Sequence, residues 1–212
     1  MTGTNAMMNR IILLTVTVII MAGVSFSQKM HSGPLSIQAG ITVFDDASDN
    51  QNSYVQFPYS VKRNQFQFIS VPGTEQFKAT IYAEIVLSDT LGNHLDSAST
   101  YYYTYAGNRQ ETENGDIKLF NNLYLILEPG KYKASLNVID VTSKNKGSFL
   151  YERIEIDSPI PGQLRLSNIE MAHDINIVDE SSANSSSPLV KNNYRIIPNP
   201  MGIYSEADSS LF

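Results

Sequence analysis

The sequence predicts an all-β chain folded as an antiparallel β-sandwich behind a leader segment. Three observations carry that expectation. Apolar residues recur at every second position in successive stretches between Leu35 and Asp157, the period of a strand with one hidden face. Gly, Pro, Asn and Asp gather between those stretches, where chain reversals need them. No stretch holds the ~3.6-residue period over a helical length. Cysteine is absent, so disulfides, cysteine–zinc centres and thiol nucleophiles are excluded, and a large core must hold the fold.

The first stretch reads as an address rather than as structure. Arg10 supplies a positive charge, Ile11 to Val24 is an unbroken run of apolar or small residues, and Ser25-Phe26-Ser27 offers a small-residue cleavage site before Gln28. Residues 1–27 are therefore expected to be a secretory signal peptide. The competing reading, a membrane anchor, needs an apolar span of about 20 residues, and this run is shorter. With no cysteine, attachment as a bacterial lipoprotein is closed. The expected location is extracytoplasmic: periplasm, cell envelope or outside the cell. A membrane would be involved only through an uncleaved signal.

Each element follows in order. Leu35, Ile37, Ala39, Ile41 and Val43 alternate with polar or small residues, a first strand. The polar loop from Asp45 to Asn52 carries Asp45, Asp46 and Asp49 but lacks the full calcium-loop pattern, so no metal is expected. Val55, Phe57, Tyr59 and Val61 line the next strand. Pro58 within it cannot donate to a ladder and predicts an edge strand or a bulge. Phe77, Ala79, Ile81, Ala83, Ile85 and Leu87 give the longest clean alternation and predict a central strand. Its hairpin partner carries Leu95, Ser97, Ser99, Tyr101, Tyr103 and Tyr105 on one face. The run from Tyr101 to Tyr105 places tyrosines on both faces. Ile117 to Leu127 leads to a Pro129-Gly130 corner. After it, Tyr132, Ala134, Leu136 and Val138 face one way and Lys131, Lys133, Ser135 and Asn137 the other. The returning strand places Leu150, Ile154 and Ile156 on one face. About eight strands result, at sandwich spacing.

The second faces carry Gln38, Lys78, Glu84, Lys131 and Lys133. These suit water and argue against a lipid-facing barrel. A tyrosine just after a corner, as at Tyr132, marks immunoglobulin-like sandwiches, so an immunoglobulin-like or fibronectin-like sandwich over residues 28–158 is the expected architecture. Pro159-Ile160-Pro161-Gly162 marks its end. Leu164, Leu166, Ile169 and Met171 suggest a further strand, and residues 159–212 read as a linker and an incomplete second β-domain, with more chain expected beyond Phe212.

Ser53-Tyr54-Val55-Gln56-Phe57-Pro58-Tyr59-Ser60-Val61, the Pro129-Gly130-Lys131-Tyr132 corner, Leu166-Ser167-Asn168-Ile169-Glu170-Met171-Ala172 and Ile196-Ile197-Pro198-Asn199-Pro200 together resemble the N-terminal half of GWxTD domain-containing proteins. These are secreted proteins of Bacteroidetes-type bacteria with no well-defined activity. The resemblance implies β-sandwich domains ahead of a C-terminal domain bearing the Gly-Trp-x-Thr-Asp motif. Tryptophan is absent here, so that motif is not in this sequence.

Fifteen Lys and Arg against 21 Asp and Glu give a net charge of −6. Without residues 1–27 the chain loses Arg10 alone and becomes one charge more negative. An acidic chain without a basic cluster argues against nucleic acid or an anionic membrane surface as partner. His31, His94 and His173 stand far apart, and no nucleophile elbow, phosphate loop or dinucleotide fingerprint occurs. No cofactor and no catalytic residue is assigned. The leading expectation is a non-catalytic module with a structural or interaction role in a larger secreted or envelope protein, its partner an unidentified protein or glycan. The alternative is a carbohydrate- or peptide-binding module using Tyr101, Tyr102, Tyr103 and Tyr105. A hydrolase built on carboxylates such as Glu152 and Glu155 ranks last.

Overall fold

The computed structural model describes residues 30–45, 52–158, 167–179 and 187–204. The leader and most of the Asp45–Asn52 loop lie outside them. The strands are β1 (Met30–Ser32), β2 (Ile37–Ala39), β3 (Thr42–Asp45), β4 (Ser53–Lys62), β5 (Ile69–Ser70), β6 (Phe77–Ser88), β7 (His94–Ala106), β8 (Lys118–Leu127), β9 (Gly130–Asp140), β10 (Lys146–Ile156), β11 (Ala172–Ile177), β12 (Val190–Lys191) and β13 (Tyr194–Pro198). One short helix, α1 (Arg109–Thr112), joins β7 to β8.

Every pairing is antiparallel. The larger sheet runs β1-β10-β9-β6, with β5 continuing the β9 side of β6 and β7 on its other side. The smaller sheet has β4 in the middle, β8 on one side, and β2 and β3 end to end on the other. Alternation explains why the sheets stack. Ala79, Ile81, Ala83, Ile85 and Leu87 of β6, Leu136 and Val138 of β9, and Val55, Phe57, Tyr59 and Val61 of β4 are all buried and belong to one cluster. Each such aliphatic side chain stabilises by roughly 1.5–3 kcal/mol when hidden. Phe57 of one sheet meets Tyr151 of the other edge to face, with centroids 5.3 Å apart. The expected mostly-β, antiparallel architecture is what the molecule has.

The corner before β9 closes as its residues imply. Tyr132 Oη donates to the Glu128 carbonyl at 2.9 Å. A Cβ at Gly130 would lie 2.9 Å from that hydroxyl, so the ring needs glycine beneath it. At the far end of β9, Asp140 is fully buried. Its carboxylate accepts from Gln67 N, Thr142 N and Ser143 Oγ at 2.7, 2.9 and 2.7 Å, pinning two loops to the sheet.

Three local expectations are corrected. Pro58 lies in the central strand of the smaller sheet, neither at an edge nor at a bulge. Gly40 N donates to Pro58 O at 2.9 Å, and the return bond that proline cannot make is replaced by Tyr151 Oη, which donates to Gly40 O at 2.8 Å. In β10, the register shifts between Tyr151 and Ile154. One extra residue, with Glu152 and Arg153 set against Lys133 alone, flips the phase, so Phe149 and Tyr151 are buried with Ile154 and Ile156, and Leu150 faces the other side. The expected strand around Ile169 and Met171 begins later, at Ala172; Leu164 and Leu166 lie outside the described residues.

β11, β13 and β12 form a third sheet, which lies on the outer face of the smaller one. Asn168 N bonds Val43 O, and Phe120 meets His173 edge to face. Lys191 Nζ reaches Gln56 Oε1 at 2.7 Å and pairs with Glu170 at 2.7 Å. Gly40 admits the chain here, because a Cβ would sit 2.4 Å from Pro200 O.

Candidate functional site

Among the described residues, the candidate residues gather on the outer face of the larger sheet along β6 and β7. Strand parity places Tyr101, Tyr103 and Tyr105 there, exposed by 62%, 52% and 51%. Successive side chains on one face stand about 7 Å apart along a strand, so the three rings form a row. Tyr102 is not part of it. It points into the core, and burial raises its hydroxyl to about 12. Nearby Tyr59 is also held well above its ordinary value, by burial first and then by Tyr102. Neither buried hydroxyl completes a hydrogen bond.

The β6–β7 register decides what surrounds the row. Tyr82 stands opposite Tyr101, Thr80 opposite Tyr103 and Lys78 opposite Tyr105. The Tyr82 and Tyr101 rings are tilted together at 4.7 Å, and Lys78 Nζ lies 3.7 Å from the centroid of Tyr103. Tyr82 Oη donates to Glu84 at 3.3 Å. Glu84 is opposite Asn137, whose amide oxygen accepts from the Ser135 and Ser148 hydroxyls at 3.3 and 2.8 Å. The surface is a shallow platform with aromatic faces at one side and amide, hydroxyl and carboxylate groups beside them. It can offer stacking, one cation and several hydrogen bonds to a flat ligand.

Lys78 and Asn137 were read from the sequence only as positions on water-facing sheet faces, and Tyr82 was not named. They lie on two other strands, and only the cross-strand register brings them beside the tyrosines. The β6–β7 hairpin carried a partial signal. Asp89 Oδ1 accepts from Leu91 N and Asn93 N at 2.8 and 2.9 Å, and these bonds, with that from the Asn93 side chain foremost, hold its carboxyl below the usual range.

Other candidates disperse. Among the described residues no group of three or more His, Asp and Glu could hold a metal; Asp46 and Asp49 lie outside those residues. His94 starts β7 in solvent, and His173 rests on Phe120. Glu155 is committed to Lys131 and Arg153 at 3.1 and 2.6 Å, which lower its pKa, while Glu152 stands exposed in the bulge.

No protein-family model matches the chain, and no curated protein matches it.

Proposed function

We propose that the chain is a non-catalytic, extracytoplasmic module of the immunoglobulin-like, fibronectin-like kind, with a structural or interaction role in a larger secreted or envelope protein. The supporting observation is strand order joined to the corner. β2/β3, β4 and β8 on one layer and β7, β6, β9 and β10 on the other fit the A-B-E and C′-C-F-G order of such domains. Tyr132, which bonds back to Glu128, then occupies the tyrosine corner before strand F. In this reading the leader exports the chain, and the stretches resembling GWxTD domain-containing proteins belong to the scaffold of such a protein. The test is a panel of polysaccharide and peptide substrates offered to the processed protein. The reading expects no turnover; hydrolysis abolished by substituting one carboxylate would sink it.

A second reading has its own observation: the exposed row of Tyr101, Tyr103 and Tyr105 beside Lys78. Under it the platform binds a glycan or an extended peptide. A glycan array should then give hits that Tyr101→Ala and Tyr103→Ala weaken without lowering thermal stability. An array without hits counts against it.

A further inference from the structure

We propose that the free edge of β7 pairs with β7 of a second copy of this chain, antiparallel and two-fold about Thr100. This deepens the reading above by naming the partner of the interaction module.

Backbone parity shows which residues face outward. Val141 N donates to Thr80 O and Val71 N to Gln76 O, so the even-numbered residues of β6 spend their backbone groups on the β9 and β5 side. The odd-numbered residues of β6 therefore bond to the even-numbered residues of β7. Ser97, Ser99, Tyr101, Tyr103 and Tyr105 are left aiming their N–H and C=O groups at the open edge. Two contacts agree: Arg63 Nη1 caps Tyr105 O at 3.2 Å, and Asp96 Oδ1 caps Ser97 N at 2.7 Å. The edge is closed at its two ends; between them, among the described residues, the one contact on it is the long bond from Thr100 Oγ1 to Tyr101 O at 3.5 Å.

Exposed edges in monomers are blunted by charges, proline, bulges or short length. β7 spans 13 residues. Asp96 is its one Asp, Glu, Lys or Arg, and it has no proline. Its register with β6 shifts only at the hairpin end. An edge of this kind suits being paired.

The side chains suit a second copy. A two-fold axis through Thr100 sets Tyr101 opposite Ser99 of the other copy, Tyr103 opposite Ser97 and Tyr105 opposite Leu95, so tyrosines never face tyrosines on the outer side. On the inner side Thr100 meets Thr100, Ala98 meets Tyr102 and Asp96 meets Thr104. No like charges stand opposite one another, a condition that antiparallel pairs need. The odd-numbered residues form the hydrogen-bonded pairs. Thr100 sits in a non-hydrogen-bonded pair, with Cα atoms about 4.5 Å apart.

That spacing gives a register-specific test in a chain with no cysteine. Two Cα atoms can be bridged at about 4.4–6.8 Å. The processed full chain carrying Thr100→Cys should form an interchain disulfide spontaneously, and Ala98→Cys should not. The unmodified chain should sediment as a dimer at about 100 µM, a concentration chosen for associations of micromolar strength. Ser99→Pro removes an outward N–H that the chain's own sheet does not use and should give a folded monomer, checked by circular dichroism. If Ser99→Pro fails to fold, Tyr101→Lys serves the same purpose by placing like charges near the axis. A monomeric unmodified chain, higher assemblies in place of a dimer, a dimer indifferent to both variants, or cross-linking at Ala98 instead of Thr100 overturns the proposal. None of these readouts depends on the substrate panel, so the two readings fail separately.

Discussion

The two sheets are built on the same alternation, yet their outer faces have opposite fates. On the smaller sheet Gln56 points away from the core and is still only 3% exposed, because the third sheet lays Lys191 over it. On the larger sheet the equivalent positions of β7 carry tyrosines more than half exposed. Residue type does not separate the two cases, since glutamine is the more water-seeking residue and tyrosine the more apolar. The difference comes from what the chain brings back. A C-terminal segment held by Lys191, Glu170 and Pro200 covers the first face, and nothing described covers the second. A polar outer face under a cover is part of the fold, whereas an aromatic outer face in solvent is available for recognition.

The comparison breaks most sharply within β7, where neighbours face opposite ways. Tyr102→Ala empties a core position and should cost about 3 kcal/mol, read as a drop in the denaturation midpoint. A loss below about 1 kcal/mol would contradict the inward placement. The same core predicts an alkaline limb. Folding raises the pKa of Tyr102 to about 12 and that of Tyr59 further above its ordinary value. The unfolded chain therefore loses these protons first as pH rises past about 10. Stability from this source is complete below that pH and falls as pH climbs toward the folded value. For Tyr102 the loss should reach about 2–3 kcal/mol by pH 12, and Tyr102→Phe should flatten that limb. An unchanged limb in the variant would place the tyrosine in solvent.

The covered face is probed by removing its cover. Gly40→Ala forces a Cβ against Pro200 O and should cost about 2 kcal/mol, with protease sensitivity appearing first in the segment 187–204 that carries Pro200. Lys191→Met leaves Glu170 and Gln56 Oε1 without their cation. The pair is partly exposed, at 26% and 16% of side-chain surface, so about 1 kcal/mol is expected, below the cost of breaking a fully buried pair. If either variant left the protease pattern unchanged, the third sheet would not be what hides Gln56.

Much of the layered body was legible in the sequence, for a physical reason. Period-2 alternation is local, so the inward residues of β6 and the odd positions of β4 could be read directly. The Pro129-Gly130-Lys131-Tyr132 corner was legible too, since its hydrogen bond spans four residues. What escaped depends on distant chain. Pro58 was read as an edge or a bulge because its substitute donor, Tyr151, sits in another sheet. Leu150 was assigned to the wrong face because one extra residue, Glu152 and Arg153 standing against Lys133 alone, shifts the phase without any Gly or Pro to announce it. Asn108 caps α1 (Asn108 Oδ1 accepts from Glu111 N, and Glu111 Oε2 accepts from Gly107 N ahead of the cap, both at 2.9 Å), a signal that was present but too short to stand out as periodicity. The tyrosine row was read correctly as two-sided. Lys78 was read as facing water, but neither it nor Tyr82 was placed beside the row, since the β6–β7 register depends on the Asp89 turn.

The smallest effect is expected where the contrast began, at Tyr103. Its ring is half exposed and touches Lys78 on one face. A cation over an exposed ring contributes about 0.5–1 kcal/mol at most, and part of that returns when the lysine is hydrated instead. Tyr103→Ala should therefore shift the denaturation midpoint by less than about 0.5 kcal/mol, several-fold less than Tyr102→Ala one residue away. Lys78→Met beside an intact Tyr103 should be equally mild, and the double variant should be additive to within the coupling of one weak contact. If Tyr103→Ala instead unfolded the domain, the ring would be supporting the sheet, and neither a ligand platform nor a paired edge could claim it as surface.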